Sequence, residues 1–151
     1  MNMLNQDLIH FLQGERIVSL ITTDNELGRP IVTNVSWLIA QPDGKTIKVA
    51  IGHNASSVKN IQSNPQVILN VIGPNVTYEI VGKAHVSEIQ KGVIKYRIIT
   101  VGVESVEENM FYGGKITTVP EYTKTYDAEL AKKIDAEIYD SMKWEHEELR
   151  G

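Results

Sequence analysis

The sequence predicts a mainly β protein in which six or seven short, mostly antiparallel strands form a closed or nearly closed barrel. Runs of alternating apolar residues, rich in Val, Ile and Thr, recur at regular spacing between turn residues. Helical periodicity is confined to a short segment at the N-terminus, a second between two strands and a longer one near the C-terminus. The 151 residues contain no repeat and no low-complexity linker, so we expect one domain over residues 1–151.

Composition and charge exclude several classes of function. The net charge of −4 leaves no large basic surface for nucleic acid or for an anionic membrane. The chain has no cysteine, which rules out disulfides, thiolate metal sites and a cysteine nucleophile. No apolar run approaches the roughly 18 residues of a membrane span, and the N-terminus lacks the pattern of a signal peptide. We therefore expect a cytoplasmic protein.

Local signals predict the individual elements. Asn5 is a typical N-cap for a helix with Leu8 and Leu12 on one face, and Gly14 ends that helix. Gly82 predicts a bulge within its strand or a close approach of another backbone, and the sequence at 91–96 also permits a short helix. The expected strands are 16–23, 30–40, 46–52, 66–72, 76–87, 92–106 and a short one at 115–119.

The strand at 30–40 carries the first functional signal. We expect it to form a hairpin with 46–52 through the tight turn at 42–44. Asn34 and Ser36 lie in mid-strand, on the face opposite the predicted core, which is unusual unless they meet solvent, a ligand or a partner. The predicted core face comprises Ile31, Thr33, Val35, Trp37 and Ile39.

A short helix at 55–63 follows a polar turn and is stopped by the Asn-Pro pair after it. Its start carries Ser56, Ser57 and Lys59. Free backbone N–H groups and the helix dipole make such a start attractive to anions. We interpret it as the phosphate end of a cofactor pocket. The alternative interpretation is a serine that caps the helix and a lysine that is simply solvated.

The stretch 127–149 is predicted to be a long amphipathic helix with a structural role, packed on the barrel or across a dimer. Trp144, near its end, either packs in the core or docks on a partner chain. Trp37, by contrast, is either a core residue or a platform for a ligand. The apolar stripe of the helix comprises Leu130, Ile134, Ile138 and Met142.

Several enzyme classes are excluded by the absence of their motifs. The four histidines lie in no metal-ligating spacing, so no metal is expected. There is no Gly-x-Ser-x-Gly pattern of a serine hydrolase and no Walker or Rossmann glycine pattern. No acid–base residue stands out, and we name no catalytic side chain.

Five stretches, in order, resemble the pyridoxamine 5′-phosphate oxidase-like flavoproteins. The resemblance covers roughly residues 17–86 and implies an FMN-binding split β-barrel that is normally a homodimer. The stretches are 28–37 (GRPIVTNVSW), 43–47 (DGKTI), 51–61 (IGHNASSVKNI), 64–65 (NP) and 78–86 (YEIVGKAHV).

The resemblance also implies which residues hold the cofactor. In that family the strand after Gly-x-Pro lines the flavin, the turn before the short helix touches the flavin and its ribityl chain, and the helix start holds the phosphate. The strand residues are Val32, Thr33, Asn34 and Val35; the turn residues are Ile51, Gly52, His53 and Asn54; the phosphate residues are Ser56, Ser57 and Lys59.

The chain departs from the family in two places. The family commonly has basic residues where Thr33 and Ser57 stand, which leaves Lys59, one turn on, to compensate. The arginine-rich C-terminal signature of the oxidase itself is absent from 116–151. We therefore expect an FMN-dependent oxidoreductase with an unassigned small-molecule substrate, and not a true pyridoxamine phosphate oxidase.

Two alternatives remain. One is a non-catalytic module of the same fold that stores or senses flavin, or holds haem or a deazaflavin. The other is a barrel without a cofactor, which acts through its surface.

Overall fold

The computed structural model describes residues 1–143 of the protein, which form three helices and eight strands. In chain order they are α1 (Gln6–Phe11), β1 (Val18–Asp24), β2 (Arg29–Val35), β3 (Leu38–Ala40), β4 (Thr46–Gly52), α2 (Ser56–Ser63), β5 (Gln66–Ile72), β6 (Thr77–Val86), β7 (Gln90–Lys91), β8 (Lys95–Glu108) and α3 (Ala128–Met142).

The strands form one antiparallel sheet in the order β2-β1-β5-β6-β8-β4-β3, and the short β7 pairs with β8. The two strands at the ends of that order, β2 and β3, are consecutive in the chain and are joined by Ser36 and Trp37. The sheet must therefore curl until its two ends lie close together. This curled antiparallel sheet, with few helices, confirms the predicted mainly β split barrel.

Apolar side chains fill two separate regions. The interior of the barrel is filled from one face of each long strand and is closed by α1 and α2. A smaller cluster lies on the outside of the sheet, beneath α3. Each fully buried large apolar side chain stabilises the fold by about 1.5–3 kcal/mol. The interior includes Leu20, Ile47, Leu69, Ile80 and Ile99. The outer cluster comprises Ile39, Ala50, Tyr96, Ile134, Ile138 and Met142.

The prediction of one long strand at 30–40 is wrong, because the chain leaves the sheet at Ser36 and Trp37. As a result β2 pairs with β1, and only β3 forms the predicted hairpin with β4. The predicted faces change as well. Leu38 and Ala40 point into the barrel, whereas Ile39 packs in the outer cluster under α3. The break allows the chain to pass from one end of the curled sheet to the other.

Two further expectations near the C-terminus are corrected. The segment at 91–96 forms no helix; it contains the turn between β7 and β8. The predicted strand at 115–119 is reduced to one isolated bridge, in which the Ile116 N–H donates to the Asn75 carbonyl at 2.8 Å. The predicted bulge at Gly82 is confirmed by a register shift in the β6–β8 ladder. A Cβ at this glycine would lie 2.4 Å from the Gly102 carbonyl oxygen.

The two terminal helices begin as predicted. The Asn5 side chain accepts a hydrogen bond from the Leu8 N–H at 2.8 Å, and Asp127 caps α3 in the same way. Helix α3 ends at Met142, so the part of the predicted helix from 144 to 149, with Trp144, lies outside the described residues. Its stripe is buried except for Leu130. None of the three described helices is long and apolar enough to cross a membrane.

Candidate functional site

A groove of about 430 Å³ runs between two parts of the barrel and a segment that leads into α3. One wall comes from the end of β2 with Ser36 and Trp37, and from the end of β4. The opposite wall is the segment Tyr122–Tyr126, which we call the strap. The lining residues are Thr33, Asn34, Val35, Ser36, Trp37, Ala50, Ile51, Gly52, Ala55 and the five residues of the strap.

The structure brings five of the predicted site residues together in this groove and leaves the others outside its lining. Thr33, Asn34, Val35, Ile51 and Gly52 line it. Among the others, Val32 is exposed, Asn54 is exposed, and the His53 backbone N–H donates to the Lys95 carbonyl at 3.4 Å. The remaining predicted residues, Ser56, Ser57 and Lys59, lie at the start of α2.

Helix α2 is fixed to the barrel by a buried side-chain hydrogen bond. The Asn60 amide donates to Thr22 Oγ1 of β1 at 3.0 Å. Ala55 is the N-cap and no side chain caps the helix, so the alternative interpretation of a capping serine is wrong. Ser57 is buried, at 1% exposure. The first-turn amides of α2 are therefore left without a side-chain acceptor.

The cation at this helix start is already paired. Lys59 Nζ lies 2.8 Å from Glu26 Oε1, and both side chains are largely exposed. A hydrogen bond from Lys59 to Glu26 and the attraction of that carboxylate raise the pKa of Lys59. Ser56 and Lys59 line a small cleft of about 250 Å³ together with Asp24 and Glu26. Because exposed ion pairs are weak, Lys59 can exchange Glu26 for another anion.

The strap was not predicted as part of the site. It belongs to no helix or strand, and the available signal was its sequence YTKTY, in which four of five residues bear a hydroxyl group. Two of its side chains form hydrogen bonds or ion pairs with residues outside the strap. The Tyr122 hydroxyl donates a short hydrogen bond to Glu15. Lys124 Nζ lies 3.4 Å from Asp135 Oδ2 on α3 and 3.8 Å from Glu15 Oε2.

These contacts belong to a polar network, the latch, formed by Glu15, Tyr122, Lys124, Asp135 and Tyr139. The network reaches the opposite wall of the groove, because the Nε1–H of Trp37 donates to Asp135 Oδ1 at 2.9 Å. Burial lowers the pKa of Lys124, but attraction to Tyr122, Glu15 and Asp135 outweighs burial and leaves that pKa raised. The latch therefore holds the strap and orients the Trp37 indole at the same time.

Gly14 and Glu15, before β1, adopt unusual backbone conformations where they contact Tyr139 of α3. Gly14 has φ 93° and Glu15 has φ 59°, a region that non-glycine residues rarely adopt. A Cβ at Gly14 would lie 2.9 Å from the Tyr139 ring. The Tyr139 hydroxyl accepts from the Glu15 N–H at 3.1 Å and donates to the Ser36 carbonyl at 3.2 Å. Burial is the main cause of the raised pKa of Tyr139, so this phenol stays protonated as a donor.

The chemistry of the groove suits a flat, largely uncharged ring system. Val35, Trp37 and Ile51 provide apolar surface, and Thr33, Asn34 and the strap provide hydroxyl and amide groups. Among the described lining residues, only Lys124 carries a charge. The described residues contain no group of His, Asp and Glu side chains that could hold a metal ion.

Solved structures with the same fold share little sequence with this chain. HupZ from Group A Streptococcus is 15% identical, with a TM-score of 0.61 over 76% of this chain and 99% of HupZ. A protein from Lactobacillus delbrueckii named as a pyridoxamine 5′-phosphate oxidase is 17% identical, with a TM-score of 0.61 over 71% of this chain and 95% of its own. An F420 reductase is 18% identical, with a TM-score of 0.53 over 65% and 94%.

The sequence itself matches a family model. No curated protein matches significantly. The model described as pyridoxamine 5′-phosphate oxidase matches residues 4–104, which span α1 and most of the barrel and leave out the strap and α3. The barrel-side residues of the groove all lie within that match. The chain therefore belongs to the pyridoxamine 5′-phosphate oxidase-like family of split β-barrel proteins.

Proposed function

We propose that the protein is a cytoplasmic, homodimeric FMN-dependent oxidoreductase that acts on a small-molecule substrate. The observation that carries the proposal is the continuity of the groove with the start of α2. Ala55 lines the groove and is also the N-cap of α2. One ligand can therefore contact the groove and the first turn of that helix together.

The ring-binding part of the site fits a flavin. A volume of about 430 Å³ lies within the range of roughly 300–1,000 Å³ that small-ligand sites occupy. Trp37 and Ile51 offer flat apolar surface, and Thr33 and Asn34 offer polar groups to the heteroatoms of the ring. FMN supplies the hydride or electron transfer when it is bound. The residues of the chain bind and orient it, and the strap limits the access of water.

The start of α2 fits the phosphate of FMN on the condition that Lys59 leaves its partner Glu26. The first turn of α2 has no side-chain cap, and its N–H groups and dipole favour an anion. Lys59 must leave Glu26 to contribute its charge. Asp24 and Glu26 line the same cleft, so the acidic groups there outnumber the lysine by one. We expect FMN to bind through the amides and Lys59, with Glu26 as a competitor for that lysine.

A non-catalytic flavin-binding or sensing module is the second candidate. It is favoured by the lining of the groove, in which Lys124 is the single charged side chain of the described residues and is held by two carboxylates. Such a groove has no evident general acid or base. A module of this kind could also hold haem or a deazaflavin. Reduction by NADH or NADPH, followed by reoxidation with an electron acceptor, separates an enzyme from a sensor.

The first experiment is the absorbance spectrum and mass of whatever the purified protein carries. FMN gives a yellow protein with flavin absorbance and a released mass equal to that of FMN. Haem or a deazaflavin gives a different spectrum and mass. A colourless protein that also fails to bind added FMN would contradict the proposal.

The role of Lys59 is tested by titrating FMN and riboflavin, which lacks the phosphate. We expect Lys59→Ala to weaken FMN more than riboflavin, most clearly at low salt, where screening is weakest. Glu26→Gln should tighten FMN, because it releases Lys59 and removes a neighbouring negative charge. Riboflavin is the matched control. Equal changes for both flavins would mean that Lys59 and Glu26 do not act on the phosphate.

The family resemblance implies a homodimer. Val32 and Phe111 are 60% and 72% exposed, and a second copy of the chain would cover such apolar side chains if they lie in its interface. Sedimentation velocity at micromolar concentration should show a dimer. A monomer alone at that concentration would contradict this part of the proposal.

A further inference from the structure

Tyr122 lies between two cavities. Beside the groove is a second cavity of about 290 Å³, lined by Ile17, Asn34, Val35, Ser36 and Tyr122. Of the five described strap residues, Tyr122 is the one that lines both cavities. The two cavities also share Asn34, Val35 and Ser36, and Ile17 is the one lining residue of the smaller cavity that does not line the groove.

The position of this ring is tightly determined. Its hydroxyl is bonded to Glu15, whose backbone is held in turn by Tyr139. Lys124 Nζ lies 5.2 Å from the centre of the Tyr122 ring, within the range of a cation–π contact. A ring restrained at both its face and its hydroxyl can act as a fixed wall.

Negative charges outnumber positive charges among the latch side chains around the Tyr122 ring. Glu15 and Asp135 carry two negative charges, and Lys124 between them carries one positive charge. Arg16, the neighbouring cation in sequence, is directed to Phe11, with its guanidinium 4.2 Å from that ring centre. The latch side chains around the Tyr122 hydroxyl therefore carry one net negative charge, which disfavours anions there and favours neutral molecules and cations.

We propose that Tyr122 is a specificity-determining residue, a wall that separates the ring-binding groove from a small compartment for the second ligand, which must be small and neutral or cationic. The proposal rests on the proposed function for the identity of the first ligand. Tyr122 and the strap lie outside the family-matched residues 4–104. Glu15 is the positioning residue, because it acts through the Tyr122 hydroxyl.

The chain has no cysteine, so one introduced thiol can report on the compartment without interference. Ile17→Cys places the thiol on its lining. Its reaction rate is measured with three methanethiosulfonates: a small neutral methyl reagent, a cationic trimethylammonium-ethyl reagent and an anionic sulfonatoethyl reagent. A bulky neutral benzophenone reagent is the fourth probe. All four react with the cofactor-free protein, so the result does not depend on whether FMN binds.

With Tyr122 present, we expect the cationic reagent to react faster than the anionic one and the bulky reagent to react slowly. Tyr122→Ala should speed the bulky reagent selectively and leave the rate of the methyl reagent unchanged. Tyr122→Phe, which keeps the ring, should keep the bulky reagent slow. Glu15→Gln should bring the cationic and anionic rates closer together. Thermal unfolding of each variant identifies any that fails to fold.

Two outcomes would overturn the proposal. One is a bulky reagent that reacts equally fast in the presence of Tyr122 and in the folded Tyr122→Ala and Tyr122→Phe variants. The other is an anionic reagent that reacts at least as fast as the cationic one. If Tyr122→Ala does not fold, Tyr122→Leu takes its place, because it removes the flat ring and its hydroxyl but keeps apolar bulk, and it should still speed the bulky reagent more than Tyr122→Phe does.

Discussion

The two walls of the groove are built in different ways. The barrel wall consists of strand ends, β2 and β4, held by ladder hydrogen bonds to β1 and β8 and by the apolar interior. The strap wall has no regular secondary structure and is held by a few polar side chains from α3 and from the turn after α1. The barrel wall lies within the family match, and the strap wall lies outside it.

The two walls should differ in how far they tolerate substitution without loss of stability. A wall held by many backbone bonds and buried apolar side chains tolerates little change, because each substitution disturbs the packing of the barrel. A wall held by a handful of partly exposed polar contacts can change with a small effect on folding. We therefore expect substitutions in the barrel wall to lower the free energy of unfolding more than substitutions in the strap do.

The largest expected loss of stability comes from helix α3, whose Asp135 holds the strap through Lys124. Ile138 of α3 is 1% exposed in the outer cluster, so Ile138→Ala should lower the free energy of unfolding by about 2–5 kcal/mol. Leu130→Ala is the control, since Leu130 belongs to the same stripe but is 41% exposed. Urea denaturation measures both. Equal effects would show that α3 does not dock as described.

A smaller effect is expected from a change within the barrel. Gly82→Ala would place its Cβ 2.4 Å from the Gly102 carbonyl oxygen, and the strain should cost about 1–3 kcal/mol. Gly102→Ala is the matched control, because the nearest atom to its Cβ would be the Lys83 oxygen at 3.7 Å. The two melting temperatures make the comparison. A Gly102→Ala variant as unstable as Gly82→Ala would mean that the bulge is not the cause.

The smallest loss of stability is expected from removing the Tyr139 hydroxyl, which links the turn after α1 to the barrel wall of the groove at Ser36. Tyr139→Phe removes the hydroxyl between the Glu15 N–H and the Ser36 carbonyl and should cost about 0.5–1.5 kcal/mol. Tyr112→Phe, at a fully exposed tyrosine, should cost nothing measurable. Chemical denaturation of both variants at neutral pH provides the values. If Tyr112→Phe lowered the free energy of unfolding as much as Tyr139→Phe, the two hydrogen bonds of Tyr139 would not explain the loss.

The same tyrosine predicts a dependence on alkaline pH. Burial raises the pKa of Tyr139 above the ordinary phenol value of 10.0, and burial and the Glu15 hydrogen bond raise the pKa of Tyr122. A pKa that is higher in the folded than in the unfolded chain stabilises the protein below the unfolded value, and that stability is lost as pH rises through the folded value. The melting temperature should therefore fall above pH 10.0, and less steeply in Tyr139→Phe.

Much of the barrel follows from the sequence. Alternating apolar residues and turn signals predict most of the strands, because the side-chain period of a strand decides which residues can share a buried face. The Asn5 cap and the Gly82 bulge are likewise local: one needs a side-chain oxygen at a helix start, and the other needs the absence of a Cβ. Family resemblance adds five residues that line the groove, from Thr33 to Gly52.

The tertiary structure alone decides the rest. The break at Ser36 and Trp37 cannot be predicted from alternation, because it depends on where the two ends of the curled sheet meet and on the hydrogen bonds that Asp135 accepts and Tyr139 donates there. The latch joins residues more than 100 positions apart, such as Glu15 and Tyr122, and such pairs leave no periodic signal in the sequence. Local chemistry thus determined most strands of the barrel, and family resemblance added five residues of one wall of the site. Long-range packing of α3 against the barrel determined the break at Ser36 and Trp37 and the other wall.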